Sequence, residues 1–558
     1  MNQRIPLGDQ MFLDDHSRAL HQQIESNDGR NEICLIHKLN YDILWAIFAL
    51  NADMANDIQE DIKISLSKWR PRAIITTTFA TSRVCRPWRS LVLETPILWG
   101  QLVDLEYLSS ITHEGREEII KRTKDSFLSV KGEIYKGASL EFLIKFILED
   151  WQWVQHFDVR ISSKYCSALK DWSLCFTQSP VLRPFSFSGF SIGRRDTRTL
   201  SMQHHFGAVA PQLRRFSLAH PDFMIDLSAL WLSQLRHLKV LYCEHPLSSW
   251  LDALSTMHLL ESLQMIDAIL FPPEIEMTSG LSVARLPSLR EIHVFSRGLV
   301  QICAFFDHIM PAPGCCLQMQ ISVMPEGPSP TSEQLTFINR VLSRFLESWI
   351  NTTTHVGPLE LSSFESNLYI SASSSDSRTL FININGVPSI IAALEAFSRC
   401  KFSDITSLSF YSEVNPANQH LASFLLRLTK VTVLEVPYPS FEGLTPENPD
   451  MSASHVPFPD LSRVVLTSLA RQESQQWRDM CVRFFRWRHS MGCPIEIFDL
   501  TEAADRLKLL NFAALDAISG LQIKWTDNSG NIKTYLCGSG NVNALEHWDE
   551  IGAMADEQ

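Results

Sequence analysis

Few residues in this chain are spaced for chemistry. His204-His205 are adjacent, so on a helix or strand their side chains diverge and cannot chelate one ion as an i, i+4 pair would. Gly538-Ser539-Gly540 sets a serine between glycines, but it lacks the nucleophile-elbow frame and follows a strand pattern instead of opening a helix. The 12 cysteines include no CxxC pair, and the adjacent Cys315-Cys316 suits neither a tetrahedral zinc site nor a disulfide framework. Glycine is sparse at 22 residues, and no phosphate-binding glycine fingerprint occurs. The expectation is a non-enzyme with no catalytic residues, no metal and no cofactor; an enzyme with an unrecognised site is the lesser alternative. The aromatic run from Trp477 to Trp487 reads as core.

Composition narrows the partners. A net charge of −13 argues against a phosphate backbone, which needs clustered Lys and Arg, and pairs such as Arg194-Arg195 read as solvated surface. The first thirty residues are polar, with no apolar run fit for a signal peptide, and no uncharged stretch downstream is long enough for a membrane span. A cytoplasmic or nuclear protein, not a secreted one, is expected, with no nucleic acid and no membrane among its partners. Asn351-Thr352-Thr353 then has no route to glycosylation.

Elements must supply what isolated residues do not. At 558 residues with 45% apolar content, the chain fits several domains or one extended repeat array. After a polar leader over 1–35, Leu39, Ile43, Leu44, Ile47 and Phe48 recur at helical spacing behind the cap Asn40. A second helical pattern runs from Thr76 through Val84, Cys85, Trp88 and Leu91 to Leu93, with Pro87 expected to kink or divide it. Thr95 as cap and Pro96 as first-turn residue open a third helix holding Leu98 and Trp99. Three short helices with this many large apolar groups have a surplus face, and such a face docks on something.

Leu39 to Phe48, then Val84-Cys85-Arg86-Pro87-Trp88-Arg89-Ser90-Leu91, then Leu98-Trp99 resembles the F-box, in the form common among F-box-like proteins of mushroom-forming fungi. The resemblance covers less than a fifth of the chain and marks an F-box over 36–108. It departs from the family at Asn40, where the family carries proline, and in its long insertion before the second helix. The resemblance implies binding to a Skp-type adaptor, and through it to a cullin. Carried over, the adaptor contacts are Leu39, Ile43, Leu44, Ile47, Phe48, Val84, Cys85, Trp88, Leu91, Leu98 and Trp99.

Over 109–500, after a charged helical stretch from His113 to Asp125, the text repeats apolar-x-x-apolar-x-apolar. The triplets are Val154-Phe157-Val159, Leu182-Phe185-Phe187, Leu213-Phe216-Leu218, Leu235-Leu238-Val240, Leu260-Leu263-Met265, Leu289-Ile292-Val294, Ile405-Leu408-Phe410, Val431-Leu434-Val436 and Leu461-Val464-Leu466. Successive units lie roughly 22–31 residues apart, the period of leucine-rich repeats, except that Leu289 to Ile405 spans about four such periods. Within that interval Leu317-Met319-Ile321 and Leu380-Ile382-Ile384 alternate like strands of nonconforming units, and only Cys243 meets the turn position that a regular repeat fills with Asn or Cys. An irregular α/β or all-β domain is the competing architecture. If the strands pair, the intervening residues face outward, among them His156, Asp158, Arg215, Ser217, His237, Lys239, Gln264, Glu291, His293 and Arg463. Their mixed charge suits a protein substrate. Over 501–558 a helix and a hairpin around Asp527-Asn528-Ser529-Gly530 are expected to cap the array.

The fold class expected is thus α+β to α/β: a three-helix F-box, then an irregular leucine-rich-repeat solenoid of strand-plus-helix units. The function that this implies is the substrate-recognition subunit of a Skp-cullin-F-box ubiquitin ligase. The alternative is a ligase-independent interaction scaffold.

Overall fold

The computed structural model describes residues 39–52, 71–166, 179–189, 200–202, 210–219, 223–271, 280–322, 330–353, 356–364, 367–400, 402, 404–412, 419–437, 440–444, 456–468, 475–503, 513–527 and 530–540. The polar leader, His204-His205, Arg194-Arg195, most of the insertion after the first helix and the last eighteen residues lie outside them. The chain divides into two compact units, Met1–Ser129 and Val130–Gln558. It is a mixed α/β protein whose main sheet is mostly parallel.

The first unit is helical: α1 Tyr41–Ala52, α2 Pro71–Thr81, α3 Arg86–Glu94, α4 Pro96–Gly100, α5 Leu105–Ser110 and α6 His113–Thr123. Asn40 opens α1, its side-chain oxygen accepting the Asp42 N–H at 3.4 Å. The second helical pattern is divided, not kinked: α2 stops at Thr81, and Pro87 sits in the first turn of α3, where its missing N–H costs nothing. Thr95 precedes Pro96 as read from the sequence, but its hydroxyl donates backwards to the Leu91 carbonyl at 2.6 Å and makes no cap to α4. Asp104 caps α5, accepting from the Glu106 and Tyr107 N–H groups. Trp99 anchors the unit: its indole N–H donates to the Val92 carbonyl at 2.8 Å, Phe79 meets it edge-on and the Arg122 guanidinium lies over its ring.

The main-sheet strands of the second unit are β1 Leu128–Ile134, which straddles the division, β2 Val154–Ile161, β3 Pro184–Gly189, β4 Arg215–Ala219, β5 His237–Leu241, β6 Ser262–Ile266, β7 Glu291–Ser296 and β8 Cys316–Ile321. Then come β9 Val356–Phe364, β10 Asn367–Ser374, β11 Thr379–Asn385, β12 Ser407–Ser412, β13 Val433–Val436, β14 Arg463–Leu466, β15 Ile497–Asp499, β16 Gln522–Thr526 and β17 Ile532–Leu536. From β2 to β8 each strand pairs in parallel with the next, and the triplets stack in register, Phe157 beside Phe185, Phe216, Leu238, Leu263, Ile292 and Leu317. Every residue of the nine triplets is buried. At one end the ladder is aromatic, with Phe157, Phe185 and Phe216 stacked at 5.4 Å intervals.

The long interval between triplets is no run of regular units. Strand β8 pairs in parallel with β11, which turns back through antiparallel β10 to β9, and β9 pairs in parallel with β12. An antiparallel insert thus sits inside a parallel ladder that resumes through β13, β14, β15 and β16. The helix Ser332–Thr352, opened by a Thr331–Gln334 capping box, carries the chain across to β9. The hairpin β16–β17 is antiparallel and ends the ladder as described. The aromatic run lies on the helix Gln475–Ser490, where Phe484, Phe485 and Trp487 are buried.

Candidate interaction surfaces

In the first unit, α1 is apolar on every side. Phe48 and Ala52 point into the core, and Phe48 meets the Trp88 ring edge-on at 5.1 Å. At 100° per residue, Ile43, Ile47 and Leu50 fall within about 60° of one another on the opposite face. They are exposed by 49%, 39% and 68%. Helix α4 packs against α1 and adds exposed Ile97, while Val84 is exposed between α2 and α3.

The sequence-assigned adaptor contacts therefore separate into three classes. Ile43, Ile47 and Val84 are surface; Leu39, Leu44, Cys85 and Trp88 are half-buried. Phe48, Leu91, Leu98 and Trp99 are buried within the unit, so their assignment as contacts is corrected: they are the core on which the surface stands. Leu50, Ile97 and Tyr41 are exposed apolar residues that sequence reasoning passed over. Leu50 carried a signal, because it continues the i, i+4, i+7 series from Ile43 and Ile47.

In the second unit, strand alternation leaves one sheet face buried and the other open. None of the outward positions read from the sequence is buried. Register brings most of them into two adjacent rows, Asp158–Ser186–Ser217–Lys239–Gln264–His293–Gln318 and Arg215–His237–Ser262–Glu291–Cys316. His156 lies one residue before the part of β2 that pairs with β3, and Arg463 lies beyond the insert. Gln264 Nε2 meets His293 Nδ1 at 3.0 Å, and the Ser262 hydroxyl donates to Glu291 at 3.2 Å. Partial burial, with Arg215 beside one and Lys239 beside the other, holds the His237 and His293 imidazoles below their usual pKa.

Neither a protein-family model nor a curated protein matches the chain. Among the described residues no group of three or more metal-ligating side chains occurs, and no helix is long and apolar enough to cross a membrane. What the geometry offers is two open surfaces: an apolar helix face in the first unit and a polar sheet face in the second. Beyond the insert that face turns acidic. Glu435 has its pKa raised by burial and by repulsion from Glu502 and Glu360, against the pull of Arg463, whose guanidinium also bonds Asp499.

Proposed function

We propose that this chain is an F-box-type substrate receptor, whose first unit binds a Skp-type adaptor of a cullin ubiquitin ligase and whose sheet face holds a protein substrate. The observation that carries the reading is α1, a helix with Phe48 and Ala52 buried on one side and Ile43, Ile47 and Leu50 exposed on the other. Water penalises such a face, and a partner that covers it gains about 25 cal/mol for each Å² of apolar surface removed from solvent. The leucine-rich-repeat reading of the second unit is supported by the in-register stacking of its triplets and by Cys243, which is buried at the turn after β5 with its thiol 3.5 Å from the Leu241 carbonyl. Such a receptor performs no chemistry of its own; its contribution is proximity, placing the substrate beside a ubiquitin-charged partner.

Co-expression of the full chain with a Skp-type adaptor, followed by size exclusion, tests the proposal. Wild type is expected to co-elute with the adaptor, and an Ile43→Asp, Ile47→Asp variant with an unchanged circular-dichroism spectrum is expected to elute alone. A folded wild type that never co-elutes would sink the ligase reading and leave an interaction scaffold. The two substitutions fall on exposed positions, so lost binding and lost folding are separable.

A further inference from the structure

Where the ladder is parallel its open face is largely polar, but the antiparallel insert and its neighbour β12 turn aromatic side chains outward. Phe364 and Tyr411 pair with ring centroids 4.9 Å apart, and Tyr369 meets Phe381 edge-on at 5.2 Å. Small Ser362 is in register with both Tyr369 and Tyr411, so two tyrosines flank a serine across three neighbouring strands. At about 4.8 Å per strand their backbones stand roughly 10 Å apart, with the small Ser362 side chain at that level between them.

The adjoining row is acidic. Glu360 lies two residues before Ser362, in register with Ser409, and Ser409 is in register with Glu435. Glu502 adds a third carboxylate to their field, and Arg463, the cation acting on Glu435, also pairs with Asp499. The Tyr369 hydroxyl is 3.5 Å from Glu360, which ties the aromatic row to the acidic one. An electron-rich ring face beside a surplus of carboxylates attracts a cation and repels phosphate.

We propose that the open face of the insert is a docking site for a protein segment bearing Arg or Lys side chains, with the cations against Tyr369 and Tyr411 and paired to Glu360 and Glu435. Arg suits it best, because its planar guanidinium stacks on a ring while donating to a carboxylate. This deepens the receptor reading, on which it rests for the role of the sheet face, by naming the substrate chemistry as a basic segment.

The test is fluorescence anisotropy on the full chain with a labelled peptide of alternating Arg and Ser, against the same peptide with Glu for Arg. The Arg peptide is expected to bind and the Glu peptide not, with affinity falling as salt rises. Tyr369→Ala with Tyr411→Ala, and separately Glu360→Gln with Glu435→Gln, are each expected to weaken binding about tenfold. Glu141→Gln with Glu149→Gln removes the same charge from exposed positions on the outer helix Gly137–Asp150 and is expected to leave binding unchanged. Equal binding by wild type and both site variants, or equal weakening by the outer-helix control, overturns the proposal. Should the tyrosine variant fail to fold, the Glu→Gln pair, nearly isosteric and on the open face, decides alone. Adaptor co-elution is scored on the same preparations, so failure of the receptor reading and failure of this inference are read separately.

Discussion

Arg488 is fully enclosed, and two of its guanidinium nitrogens donate at 2.8 Å to the carbonyls of Pro457 and Phe458. Phe458 is itself buried and held at φ 53, a left-handed conformation that a bulky residue adopts only when its surroundings impose it. Burial lowers the Arg488 pKa to about 10, which still leaves it charged at neutral pH. Replacing Arg488 with Met would strand both carbonyls, and a loss of about 2–4 kcal/mol in urea unfolding is expected. His245 is a second buried polar group: its ring meets Trp250 edge-on, and desolvation lowers its pKa. With the folded pKa below the unfolded one, its stability contribution is complete above the unfolded value and is lost as pH falls through the folded one. The midpoint of thermal unfolding is therefore expected to fall between about pH 7.5 and about pH 5.5, and to fall less in His245→Phe. Neither residue announced its role in the sequence. Arg488 directly follows an aromatic run that reads as core, and His245 belongs to no motif read from the sequence.

At the level of the element, α1 shows how much one helix can leave undecided. Its periodicity was legible, because Leu44, Ile47 and Phe48 recur at helical intervals. Which side faces inward was not, since both sides are apolar and either could be buried. The orientation is testable by stability alone. Phe48→Ala, beneath Trp88, is expected to cost about 3–5 kcal/mol, whereas Ile47→Ser, on the exposed side, should stay within about 0.5 kcal/mol of wild type in denaturant titration. Equal losses would mean that the helix is turned the other way. Gly100 belongs to the same scale: a Cβ there would lie 2.4 Å from the Phe127 carbonyl oxygen, so the close approach of α4 to that backbone requires glycine. Gly100→Ala is expected to lower stability by about 1–3 kcal/mol.

Across the whole molecule the long parallel ladder sets where stability is concentrated. Interior strands such as β6 have hydrogen-bonded neighbours on both sides, β5 and β7, and fully buried inward residues. Among the described residues the hairpin strand β17 pairs with β16 alone, and its residues are mostly exposed. Amide hydrogen exchange is therefore expected to be slowest in β6 and β7 and orders of magnitude faster in β17. Comparable protection at both places would show that the sheet opens as one cooperative body.

The sequence by itself determined the local pattern: the triplets, their inward and outward alternation, an interruption of the helical pattern at Pro87 and the terminal hairpin. These depend on nearest-neighbour rules, a period of two for strands, a fixed φ for proline and a turn signal at Asp527 to Gly530. Only the tertiary structure decided pairing across distance. Leu317 sits beside Leu380 because β8 skips two strands to reach β11, and no periodicity encodes a skip. The aromatic and acidic rows of the open face exist only through that pairing, since Tyr369, Ser362 and Tyr411 come from three separate segments. The same reason moved Trp99 and Leu98 from surface to core: residue type sets the cost of exposure, but the fold decides which apolar groups are left to bear it.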